Sequence, residues 1–149
     1  MEVFVRGARS SRQDWAQAHS VPLNEIPLLD DSQKAEARRG NVSEEEFARI
    51  TYAEHLWQQR TLQRLLRFGR WLNVKVEERS PGSQIEAVEL NTLAGRLEVK
   101  AQADGETVDF EIDEDLVERF LTTGSNEAEK SLFRLLDVFL PQQQVAKAS

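Results

Sequence analysis

The dipeptide Asp104-Gly105 constrains this chain more than any other stretch, because it sits between two segments that alternate apolar and polar residues. A two-residue type I′ turn needs positive φ at both central positions, and Asp-Gly supplies it. A turn placed there pairs Ala101 with Val108, Val99 with Phe110 and Leu97 with Ile112, and all six side chains share one face. The opposite face pairs Lys100 with Asp109 and Arg96 with Asp113, and sets Glu98 against Glu111. One face is then expected to pack on a helix while the other stays wet. "QIEAVEL", which follows the loop "SPGS" at 80–83, also alternates and adds a third strand.

Ahead of the strands the period changes. Ser43 is a good N-cap, Glu46 completes a capping box, and Val42 can staple against Phe47. Phe47, Ile50, Trp57, Leu65, Phe68 and Leu72 then recur on one side of a helix over 44–72, with no proline and only the late Gly69 inside it. "NVKVEER" fits either a continuation of that helix or a strand, since Val74 and Val76 also alternate. A shorter helix is expected over 31–39, closed by Gly40. Two amphipathic helices follow the strands. One covers 114–121 and stops near Gly124; the other covers 127–139, with Asn126 and Glu129 as a capping box and Pro141 beyond its end.

Residues 1–31 show no sustained period and contain Pro22 and Pro27. They are expected to form an extended arm, a strap laying Trp15, Leu23, Ile26, Leu28 and Leu29 on an apolar surface. The expected fold is α+β: a long amphipathic helix packed on a three-stranded antiparallel meander, two C-terminal helices and the N-terminal arm. Residues 32–141 then make one domain, and 142–149 a frayed tail.

"ARRGNVSEEEFAR", residues 37–49, has the outline of a helix-turn-helix. A DNA-reading second helix presents its first turn to base edges and phosphates. Here that turn is Glu44, Glu45 and Glu46, which suit the helix dipole and repel DNA. The stretch reads as a well-capped helix junction.

A net charge of −7 argues against wholesale coating of nucleic acid, so phosphate binding would need a local patch. The absence of cysteine excludes disulfides, thiolate metal sites and thiol catalysis. No apolar run approaches the ~20 residues of a membrane span, and the first residues do not read as a signal peptide. A cytoplasmic protein with no membrane association is expected.

Charge is segregated along the chain. Residues 55–76 carry Arg60, Arg64, Arg67, Arg70 and Lys75 and no acid. On the long helix Arg49, Arg60 and Arg67 point within about 20° of one another, with Arg64 and Arg70 flanking, Trp71 along the stripe and Trp57 at the edge of the apolar seam. Residues 104–129 carry ten acids against Arg119 alone, but Asp109, Glu111 and Asp113 alternate outward as a wet strand face does, and no window has EF-hand spacing. The two histidines, His19 and His55, stand in no metal-binding or catalytic motif. Glu54, on the apolar seam, is a half-buried carboxylate whose pKa should rise, without a partner base or nucleophile.

These features imply no cofactor, no metal and no catalytic site. They suit a non-catalytic protein-interaction module, a subunit or adaptor of an intracellular assembly, with a protein partner or self-association along the long helix. The expected partner-binding residues are Trp15, Leu28, Leu29, Arg49, Trp57, Arg60, Arg64, Arg67, Arg70 and Trp71. The alternative is a nucleic-acid-associated protein that binds phosphates through the arginine stripe; the plainest reading of the stripe itself is that its arginines are solvated or pair with the protein's own acidic half.

Overall fold

Asp104 and Gly105 adopt φ of 55° and 78°, and the hairpin forms in the expected register, with Val99 opposite Phe110 and Lys100 opposite Asp109. The structure is a computed structural model that describes residues 1–140; Pro141 and the tail expected at 142–149 lie outside the described residues. In chain order the elements are β1 (Glu2–Arg6), α1 (Arg12–Ser20), a 3-10 turn (Leu23–Glu25), α2 (Asp31–Arg39), α3 (Glu44–Arg79), β2 (Gln84–Asn91), β3 (Arg96–Ala103), β4 (Glu106–Asp113), α4 (Glu114–Thr123) and α5 (Asn126–Phe139). The class is α+β. The chain divides into two compact units, Met1–Gly7 with Leu62–Ser149, and Ala8–Thr61.

In the first unit the sheet has four strands in the order β1-β2-β3-β4, not three. β2, β3 and β4 are the antiparallel meander, and β1 adds to it in parallel. The expected extended arm is therefore corrected: its first residues are a strand, and the segment further on is helical. "EVFVR" does alternate, but it is five residues long and its partner lies more than eighty residues away, so no local pattern announces the pairing.

The apolar residues of β2 are spaced by three and then two: Ile85, Val88, Leu90. A regular strand would put Ile85 on the wrong face. A bulge between Ile85 and Ala87 absorbs one residue, and all three side chains are buried together with Leu97, Val99, Ala101, Phe110 and Ile112.

α3 continues through "NVKVEER" to Arg79, which resolves that segment as helix. Leu65, Phe68, Leu72 and Val76 extend one buried seam at spacings of three and four. The helix lies close to β2: a Cβ built on Gly69 would stand 3.4 Å from Val88 Cγ2 and 2.6 Å from Met1 Sδ. Asn73 fixes the start of β2 by accepting the Ile85 N–H at 2.8 Å. Asp113 caps α4 and Gly124, in the left-handed region, ends it. Ser125, one residue ahead of the expected Asn126, caps α5.

In the second unit α1 begins with a capping box formed by Ser11 and Asp14, and α2 with one formed by Asp30 and Gln33. α2 ends in a Schellman arrangement, with Val42 N–H donating to the Ala37 carbonyl and Asn41 N–H to that of Arg38. Gly40 is the C-cap, as expected, and the left-handed residue is Asn41 (φ 55°), one position further on. Ser43 caps α3 as expected, its Oγ accepting the Glu46 N–H at 3.1 Å. The buried apolar residues here are small, namely Ala18, Ala37, Ala48 and Ala53, apart from Ile26. Polar contacts between α1 and α3 join this small-residue core.

Candidate interaction surfaces

The arginine stripe is divided between the two units and largely engaged by its own chain. In the second unit Arg49 donates to the carbonyls of Ala18 (2.7 Å) and Val21 (3.0 Å), the C-terminal end of α1 where a cation is favoured. Arg60 pairs with Asp14 at 2.5 Å and also donates to Gln13 and Ser11. In the first unit Arg64 pairs with Glu118 at 2.5 Å and donates to Thr122. Arg67 and Arg70 are exposed and make no ion pair with the described residues.

The two helix tryptophans differ from one another. Trp71 is packed among aromatic rings, 4.5 Å from Phe120, 5.8 Å from Phe133 and 5.9 Å from Phe68 between centroids. Trp57 is half-buried, with the Arg9 guanidinium 5.7 Å over its ring.

The apolar residues of the former arm gather in the second unit. Leu28 is 97% exposed, Leu23 lies half in solvent, and Trp15 is 40% exposed with its ring against His19. Leu29 is half-buried. Leu28 and Leu29 rim a cavity of about 190 Å³ that Ile26, Ala48, Tyr52 and His55 complete. Tyr52 and His55 were not among the sequence expectations. They lie on the third and fourth turns of α3, and the cue that could have found them is their place beside the seam, one and two turns on from Ala48.

In the first unit an open groove of about 1280 Å³ is lined by Phe4, Glu89, Glu98, Lys100, Asp109 and Glu111, among others. Arg6 pairs with Glu89 at 2.8 Å and Arg96 with Glu111 at 2.6 Å, so part of its charge is balanced within the sheet.

Two carboxyl groups depart from their ordinary behaviour. Burial raises Asp14, but hydrogen bonds from Ser11 and the Arg60 guanidinium outweigh it and hold the group below the usual carboxylate range. Burial pushes Glu54 up, as its position on the seam suggests. Among the described residues no three His, Asp or Glu side chains are grouped to hold a metal ion, and no helix is long and apolar enough to cross a membrane. Compared with known proteins, the chain matches no family model, no curated protein and no solved structure.

Proposed function

We propose that this protein is a non-catalytic interaction module, a subunit or adaptor of a larger assembly, and that its second unit carries a contact surface. The observation that supports this most is Leu28, held almost wholly in water at the rim of the cavity closed by Tyr52 and His55. Fully burying such a side chain is worth about 1.5–3 kcal/mol, stabilisation that the isolated chain forgoes. Trp15 and Leu23 add exposed apolar area in the same unit. The arginines contribute less, because Arg49, Arg60 and Arg64 are committed within the chain.

The test is site-specific photo-crosslinking in native lysate, with the crosslinker at position 28 and, as control, at the exposed Arg134. A discrete adduct from position 28, lost when Leu23→Asp is added, supports the interaction surface. No adduct beyond that of the control position overturns it.

Phosphate binding is the alternative, supported by the exposure of Arg67 and Arg70. Its test is binding of single-stranded oligonucleotide as a function of salt.

A further inference from the structure

Among the described residues the sheet of the first unit ends on β1, whose outer edge has a specific chemical pattern. The Arg6 carbonyl accepts from the Thr92 N–H at 3.1 Å. In a parallel ladder the N–H and C=O of one residue turn to the same neighbour, so Glu2, Phe4 and Arg6 bond toward β2. The main-chain groups of Val3 and Val5 therefore point outward along the outer edge. Side chains divide the other way. Glu2, Phe4 and Arg6 are exposed, with Phe4 at 46%, and Val3 and Val5 are half-buried.

Open edges are commonly guarded by lysine, proline or a bulge. β1 has none of these. Its pattern is instead complementary to its own reverse.

We propose that β1 pairs with β1 of a second copy of this chain, antiparallel and centred on Phe4, joining two four-stranded sheets into one of eight strands. In that register Val3 faces Val5 of the other copy, and these are the residues whose N–H and C=O groups point outward, so both make the closely exchanged hydrogen-bonded pairs. Phe4 meets its own counterpart as a non-hydrogen-bonded pair, where side chains approach most closely. Glu2 falls opposite Arg6 and Arg6 opposite Glu2, one ion pair on each side of the two rings. Sliding the strands by one hydrogen-bonding step in either direction sets Phe4 against Glu2 or Arg6 and shortens the overlap. The twofold arrangement is closed, since it consumes the edge that makes it. A five-residue strand pair is smaller than the ~1,200–2,000 Å² of a standard interface, so the dimer depends on concentration. The proposal goes beyond the interaction surface of the second unit and does not require it.

The experiment is sedimentation velocity of the full chain alone, from micromolar to near-millimolar concentration. The mass is expected to rise from one chain of 17.1 kDa to twice that value and no further. Glu2→Arg and Arg6→Glu should each abolish the rise, because each sets like charges opposite one another. Mixing the two variants in equal amounts should restore it, since the two cationic positions of one chain then face the two anionic positions of the other. Because Arg6→Glu also removes the partner of Glu89, Val3→Pro is the independent check: it keeps every bond to β2, removes an outward N–H, and should leave a folded monomer by circular dichroism. A wild-type chain that stays monomeric throughout overturns the proposal. So does a dimer that persists in Val3→Pro, a mass above two copies, or folded charge variants that fail to associate when mixed.

Discussion

Arg60 reaches the carboxylate of Asp14, a side chain only 1% exposed, and holds one of its oxygens at 2.5 Å, while the Ser11 N–H (3.0 Å) and hydroxyl (2.8 Å) donate to the other. One aspartate thus closes the capping box of α1 and ties α1 to α3. The second unit, whose buried apolar residues are mostly alanines, thus has an ion pair between its helices.

Removing the cation leaves a buried carboxylate without its counter-charge. Arg60→Ala should destabilise the protein by about 1–2 kcal/mol at pH 7, less than for a fully buried pair because Arg60 is 45% exposed and partly screened. The pH dependence follows from the lowered pKa of Asp14. A carboxyl depressed in the folded state contributes its stability above the unfolded value, near about 3.9, and loses it as pH falls through the folded value. The gap in Tm between wild type and Arg60→Ala should therefore hold from pH 7 to about pH 5 and close below about pH 4. A gap that persists at low pH would show that Arg60 acts through packing alone.

Glu54 has the opposite sign. Burial raises its pKa, so the folded state is favoured when it is protonated, and its charge costs stability as pH rises through the unfolded value. Glu54→Gln should raise Tm at pH 7 and leave it unchanged near pH 4. A variant less stable at neutral pH would mean that the carboxylate is held by a contact that outweighs its desolvation.

The contrast between hairpin and arm shows what a sequence can carry. β3, the Asp104-Gly105 turn and β4 are adjacent in the chain, so register, face and turn type are all written within eighteen residues. The start of α3 is equally local, since Ser43 and Glu46 are three residues apart. β1 is not local, because its alternation has meaning only beside β2. α1 carries few apolar residues and so no helical period, although Ser11 and Asp14 stand at capping-box spacing and could have marked its start. Helix geometry puts Trp71 on the arginine side of α3. It could not show that Phe120 of α4 and Phe133 of α5 cover that side, or that Glu118 waits there for Arg64.

Asn41 ends α2 in a conformation that most side chains avoid. Asn41→Gly should be neutral or slightly stabilising, whereas Asn41→Val should cost about 1–2 kcal/mol, because a β-branched residue at positive φ is strained. Urea denaturation of the two variants separates them. Equal stability would mean that the turn relaxes without its left-handed residue.

The bulge in β2 allows a sharper test of how faces are assigned. Deleting Glu86 removes one of the two residues that share the irregular step, and Ile85, Val88 and Leu90 then follow period two on the buried face. Deleting Glu89 instead moves Leu90 directly after Val88 and turns one of them to solvent. The first deletion should leave a cooperatively unfolding protein. The second should cost at least about 2 kcal/mol for the apolar side chain forced out of the core. Thermal unfolding monitored by circular dichroism distinguishes the two, and a Glu86 deletion as damaging as the Glu89 deletion would mean that the bulge is required for something other than register, such as the hydrogen bond from the Ile85 N–H to Asn73.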